Sequence, residues 1–209
     1  MPTAAVADPL PRFGDGRRMR IGLLGGSFNP AHAGHRHVAE QARRRLRLDQ
    51  VWLLVSPGNP LKPRAGMAPF ADRIASARRI ADGRRLVATG IEAALGTRYT
   101  VDTLRALRRR FPRARFVFLM GADLLAQLPR WRRWTEVAGG LPYAVLPRPG
   151  YTHRALAGGA THRLRAARRP AAQAAVLADA TPPAWLFLPT PQTSLSATAL
   201  REAAKGAAS

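Results

Sequence analysis

The sequence predicts an α/β fold, a doubly wound and mostly parallel sheet with helices on both faces, and three observations predict it. First, apolar runs of strand length recur at 21–24, 51–55, 86–88, 116–120, 143–146 and 185–188. They are continuous instead of alternating, which is the pattern of strands buried on both faces. Second, helix-like patterns separate them at 38–46, 70–81, 100–111, from 124 through 128 and onward, and 164–177. Strand and helix taking turns along the chain is the signature of parallel pairing through crossovers. Third, the residues with chemistry to offer follow strands, and ligands of such sheets bind beyond the carboxyl ends of the strands.

The first strand runs into Gly25-Gly26-Ser27-Phe28-Asn29-Pro30-Ala31-His32-Ala33-Gly34-His35, after which a helical pattern begins at Val38. A strand, a glycine-rich turn and a helix start aim backbone N–H groups and a positive helix end at an anion. His32 and His35, separated by Ala33 and Gly34, meet at that helix mouth, and Gly34 has no Cβ to keep a ligand away. A polyphosphate suits this arrangement best; a plain βα turn with two incidental histidines is the alternative. Neither G-x-G-x-x-G nor a Walker loop is present.

This stretch resembles the H-x-G-H motif of the nucleotidyltransferase superfamily of Rossmann-like α/β folds. The resemblance implies that Gly25, Gly26, Ser27, Phe28, His32 and His35 contact ATP. It makes His32 and His35 the catalytic pair, with His35 facing the charge that builds on the α-phosphate.

The second strand is followed by Ser56-Pro57-Gly58-Asn59-Pro60-Leu61-Lys62-Pro63, a stiff and irregular loop. Lys62 is one of two lysines in an arginine-rich chain, so a compact point charge is wanted there or a solvated loop lysine stands there. Next, Arg98-Tyr99-Thr100-Val101-Asp102-Thr103-Leu104 opens a helix with Thr100 as N-cap and Asp102 in the first turn, where the dipole favours an anion. The fourth strand leads into Gly121-Ala122-Asp123 and on to Trp131 and Trp134. An acid there either holds a ribose or caps a helix. The tryptophans offer a stacking face or, three residues apart, pack from one helix face into the core. The last strand precedes Thr193-Ser194-Leu195-Ser196-Ala197-Thr198-Ala199-Leu200-Arg201, a phosphate cradle or an ordinary helix cap.

Taken together, these strings resemble bacterial nicotinate-nucleotide adenylyltransferases over about residues 20–201. The resemblance assigns Lys62 to the nucleotide phosphates, and Tyr99 and Thr100 to the nicotinate group. Gly121 and Asp123 go to ATP, and Trp131, not Trp134, stacks on the nicotinate ring. Ser196, Thr198 and Arg201 match the family's Ile-Ser-Ser-Thr-x-Ile-Arg motif, with Ala197 in place of its second serine, and are assigned to the β- and γ-phosphates. Arg148-Pro149-Gly150 is also shared with the family and receives no role.

The chain of 209 residues is of single-domain size, read as a domain over 20–205 behind a loose extension over 1–19. Without cysteine it has no disulfide and no thiolate chemistry. No apolar run approaches a membrane span and no secretory signal is evident, so a cytoplasmic protein is expected. The net charge of +22 comes from arginines spread along the whole chain. Nucleic-acid binders cluster such charge on one face, so a field drawing in anionic nucleotides is the preferred consequence. His153 and His162 lie in a Gly/Ala/Arg-rich stretch and are read as exposed. The composition neither requires nor excludes an oligomer.

The reaction the resemblance implies is adenylyl transfer from ATP to nicotinate mononucleotide, giving nicotinate adenine dinucleotide and pyrophosphate, with Mg²⁺ bridging the phosphates. No dedicated carboxylate cage for the metal is evident. Alternatives are the amidated mononucleotide or phosphopantetheine as acceptor and, from another class, a basic nucleic-acid-binding domain.

Overall fold

The computed structural model describes residues 8–58 and 65–191. All six expected strands form: β1 (Arg20–Gly26), β2 (Gln50–Val55), β3 (Leu86–Thr89), β4 (Arg115–Gly121), β5 (Tyr143–Leu146) and β6 (Trp185–Phe187). They make one sheet in the order β3-β2-β1-β4-β5-β6, every pair parallel. The order reverses between β1 and β4, the switch point at which a doubly wound sheet opens a crevice.

Alternate side chains of each strand feed two separate cores. Ile21, Leu23, Trp52, Leu54, Phe116, Phe118 and Met120 enter one; Leu24, Val51, Leu53, Val55, Val117 and Leu119 enter the other. Two buried faces leave little room for polar side chains in the strand centres, which is why these strands read as nearly unbroken apolar runs. Gly22 is the exception with a purpose. A Cβ there would lie 2.8 Å from Leu48 Cδ1 and 2.9 Å from Leu119 Cδ1, so any larger residue would force these leucine ends to move.

The second core is covered by α1 (Ala33–Arg45) and α2 (Phe70–Ile80), through the small residues Ala39, Ala42 and Ala77. The first core is covered by α3 (Ile91–Ala94) and α4 (Thr100–Arg110), then α5 (Ala122–Gln127), α6 (Trp134–Gly140), α7 (Thr152–Leu156) and α8 (Gly159–Arg163). Arginines close the last turns of α1 and α4, where they complement the helix dipole.

Two expected helices come out differently. The helix expected to continue beyond 128 ends in a 3-10 turn at Leu128–Arg130 containing Pro129, and α6 restarts only after Arg133 at φ 52. The helix expected over 164–177 does not form. Arg165–Ala167 is a 3-10 turn, Arg168 bridges to Trp185, and Ala171–Asp179 is 3-10 in character. Pro170 disfavours helix at Arg169, whose N–H is drawn to Trp185 O at 2.7 Å as the chain joins the sheet edge.

Within the expected loose extension, residues 8–19 are held in place. Asp8 accepts from Thr89 Oγ1 at 2.7 Å and from the Gly90 amide at 2.6 Å, and Leu10 is buried in the first core. Arg17, paired with Asp15, lies over the rings of Trp52 and Phe111. No helix among the described residues is long and apolar enough to cross a membrane.

Candidate active site

A cleft of about 710 Å³ opens over the carboxyl ends of β1, β2, β4 and β5, a size and place usual for small-molecule sites. Every predicted site residue within the described part of the chain lines it: Gly25, Gly26, Ser27, Phe28, His32, His35, Tyr99, Thr100, Gly121, Asp123 and Trp131. Lys62, Ser196, Thr198 and Arg201 lie outside the described residues.

At the mouth of α1 the two histidines cap the helix through each other. His32 is the N-cap residue, and its Nδ1 accepts from the Gly34 amide at 3.2 Å. His35, three residues on, offers Nδ1 to the His32 amide, also at 3.2 Å. The H-x-x-H spacing thus does the work that Ser-x-x-Glu does in a capping box. A chemical consequence follows. With both Nδ1 atoms accepting, each neutral ring carries its proton on Nε2, so both present an N–H donor away from the backbone. The rings lie 3.9 Å apart, and the buried Phe28 ring backs His35 at 5.0 Å. Phe28 sits at φ 46, a left-handed backbone conformation rare for a bulky residue, held within the site turn.

Burial holds His32 below the ordinary imidazole pKa, and the nearby Arg148 guanidinium adds to this. Between that lowered value and the unfolded value of about 6.5 the unfolded chain binds more protons, so stability falls as pH drops through the window. The urea midpoint is therefore expected to fall between about pH 7.5 and pH 5.5, and to fall less in His32→Asn, which keeps a capping side chain without a titrating ring. Equal pH dependence in the two proteins would contradict this reading.

The helix start at Tyr99 differs from expectation in one detail. Tyr99 is the N-cap position and no side chain caps it, so Thr100 is the first helical residue, its side chain free of the cap. Asp102 lies outside the cleft lining, in the first turn of α4 as expected, and there it faces Arg105 across 3.9 Å. The Tyr99 ring lies under the Arg132 guanidinium at 4.7 Å. Beneath this turn Glu92 accepts from Thr103 Oγ1 at 3.0 Å, and burial pushes its carboxyl up.

Gly121 at the end of β4 makes room for Asp123. A Cβ on Gly121 would come within 2.4 Å of Asp123 Oδ1. Asp123 makes no capping bond and turns into the cleft. Trp131 follows the 3-10 turn, lines the cleft and meets Phe118 edge-on at 6.2 Å. Trp134 opens α6 outside the cleft, packed on the first core beneath Arg163. The break at Arg133 thus separates two rings that an unbroken helix would have put on one face. His153 and His162 are exposed, as expected.

Several residues were not singled out from the sequence. Arg98, Arg130, Arg132 and Arg148 line the cleft and make its walls cationic. In an arginine-rich chain nothing local marks Arg98, Arg130 and Arg132, and Arg148 is marked only within Arg148-Pro149-Gly150, without a role. Arg73 and Ser76 of α2 brace the histidine turn from behind. Ser76 Oγ takes the Ala31 amide at 3.1 Å and reaches Phe28 O at 3.3 Å.

The comparisons with known proteins agree with this geometry. The cytidylyltransferase-like family model matches residues 23–203. A protein of Gluconacetobacter diazotrophicus named "Probable nicotinate-nucleotide adenylyltransferase" is 62% identical over 92% of this chain and 89% of its own. One of the same name from Gluconobacter oxydans is 64% identical over 88% of this chain and 94% of its own. Among solved structures, the nicotinic acid mononucleotide adenylyltransferase of Plasmodium falciparum, in its complex with NaAD, shares the fold with a TM-score of 0.64. At 16% identity it covers 88% of this chain and 82% of its own. The chain belongs to the cytidylyltransferase-like family, within its nicotinate-nucleotide adenylyltransferases.

Proposed function

We propose that this chain transfers the adenylyl group of ATP to nicotinate mononucleotide, releasing pyrophosphate and forming nicotinate adenine dinucleotide, in the cytoplasm as part of NAD biosynthesis. The observation that supports this best is the single cleft shared by the histidine turn and by Tyr99, Thr100 and Trp131. Two nucleotides lying end to end in such a cleft bring an acceptor phosphate up to the α-phosphate of ATP.

In this reading an oxygen of the acceptor phosphate attacks the α-phosphorus and the bond to the β-phosphate's bridging oxygen breaks in line. The acceptor monoester has its second pKa near 6, so at neutral pH it arrives largely deprotonated and no general base is needed. The chain's part is positioning and charge stabilisation. The Nε2–H donors of His32 and His35 face the developing charge. Gly25, Gly26, Ser27 and Phe28 bring backbone close to the nucleotide, and Gly121 with Asp123 holds its ribose. Lys62, Ser196, Thr198 and Arg201 meet the outer phosphates, Tyr99 and Thr100 hold the nicotinate end, and Trp131 stacks on its ring.

Among the described residues no cluster of three or more His, Asp or Glu side chains could cage a metal. Mg²⁺ would come with ATP, held chiefly by nucleotide phosphates and water, and would supply charge neutralisation for the leaving group.

The test is pyrophosphate release from ATP and Mg²⁺ with nicotinate mononucleotide, nicotinamide mononucleotide or phosphopantetheine as acceptor. At least tenfold higher kcat/KM is expected for the first, a difference of about 1.4 kcal/mol. Preference for either other acceptor would move the substrate assignment. No release with any acceptor would overturn the reading and leave steeply salt-dependent polynucleotide binding to be measured.

A further inference from the structure

Strands β1 and β2 stay in register as far as Gly26 and Val55, and the Ser56 amide donates to Gly26 O at 2.9 Å as the last rung. Beyond it the two chains part, one into the histidine turn and the other into the loop that carries Lys62 in sequence. The next carbonyl on each side is taken by one atom of one side chain. Arg73 Nη1 donates to Ser27 O at 2.8 Å and to Ser56 O at 2.6 Å. The same guanidinium gives Nη2 to Pro57 O at 3.2 Å and Nε to Ala68 O at 3.0 Å.

Arg73 is 3% exposed, and burial lowers its pKa with no carboxylate among the described residues to offset this. A buried cation without a counter-ion is costly to hold, and among the described residues four backbone carbonyls and the Phe70 ring, 5.4 Å from the guanidinium, compensate it. The planar fork of an arginine is the side chain that can grip several carbonyls in fixed directions at once. Around it the same helix and its entry segment hold the rest of the turn. Ser76 bonds Phe28 and Ala31, and Asn29 bridges the Gly66 carbonyl at 2.8 Å and the Ala68 amide at 3.1 Å. The histidine turn is thus fixed from outside by α2, on the side away from the cleft.

We infer that Arg73 is a positioning residue for the ATP half of the cleft, setting the spacing between the histidine turn and the loop after β2. The inference rests on the proposed adenylyl transfer. Arg73 touches neither substrate in this assignment; it acts through the carbonyls of Ser27, Ser56 and Pro57.

The experiment compares wild type, Arg73→Ala and Arg73→Lys in the pyrophosphate assay, with affinity for a non-hydrolysable ATP analogue read by calorimetry. In Arg73→Ala the KM for ATP and the analogue Kd are expected to rise about tenfold or more, since a misplacement near 1 Å can cost 10²-fold. The KM for the mononucleotide is expected to move less than about threefold, because its contacts lie on α4 and after β4. Guanidinium ion at millimolar concentration is expected to restore part of the ATP affinity, and methylammonium to restore less, because only the planar ion spans the carbonyls. Arg73→Lys keeps the charge but not the fork and is expected to fall between the two, which decides the matter should Arg73→Ala fail to fold. Equal losses toward both substrates in a folded variant, or wild-type ATP affinity in Arg73→Lys, would overturn the inference. Wild-type enzyme without pyrophosphate release would instead remove the functional reading, while the calorimetry still reports on Arg73.

Discussion

Replacing His35 by alanine is expected to lower kcat on the order of 10²–10³-fold, the loss seen when one donor to a developing oxyanion is removed. The expectation rests on geometry that selects a tautomer. His35 Nδ1 is occupied by the His32 amide, so the proton of the neutral ring sits on Nε2. The ring is held by His32 at 3.9 Å and by Phe28 at 5.0 Å, so this donor is placed before substrate arrives. Alanine also removes half of the reciprocal cap, which costs about 1 kcal/mol of stability. The two effects separate in His35→Gln, because glutamine three residues after the N-cap keeps the acceptor of a capping box. Its thermal midpoint is expected to return to near wild type while kcat stays low. Near-normal turnover in His35→Ala, measured at saturating concentrations of both substrates, would remove His35 from the mechanism.

Replacing Trp131 by alanine is expected to act on binding instead. Stacking of a base on an aromatic side chain contributes about 1–3 kcal/mol, so the KM for nicotinate mononucleotide should rise by about 5- to 150-fold. The KM for ATP should stay within about twofold, since removing a contact to one substrate leaves the other's contacts in place. Trp131→Phe, which retains a smaller face, should lose less. Trp134 supplies the internal contrast. It lies outside the cleft, packed on the core beneath Arg163, and Trp134→Ala is expected to lower the thermal midpoint without a selective change in either KM. Should Trp131→Ala alter the ATP KM alone, the ring would belong to the other half of the cleft.

The sheet was legible in the sequence for a local reason. Each strand buries both faces, so its composition announces it wherever its partners lie, and the glycine turn after β1 declares itself by residue type. The motif strings sat after strands, and a parallel sheet brings all its strand ends to one edge. That is why Gly25, His32, Tyr99, Asp123 and Trp131, far apart in the chain, line one cleft. The unbroken continuation of the helix beyond 128 and the helix over 164–177 were misread because their apolar spacing is helical while Pro129, Arg133 and Pro170 interrupt the backbone. There a backbone constraint and a pairing with β6 outweighed periodicity.

What the sequence by itself determined was the α/β class, the six strands and the described residues that line the cleft. Each of these depends on residue type within a short window. The tertiary structure alone decided that both histidines use Nδ1 as an acceptor, which puts the proton of each neutral ring on Nε2, that Trp131 and Trp134 part company, and that a buried arginine from α2 holds the histidine turn in place. Hydrogen-bond direction, ring placement and the partner of a buried charge are set by groups distant in the chain. In a protein with arginine throughout, no local pattern distinguishes Arg73 from its solvated neighbours; burial among four carbonyls does.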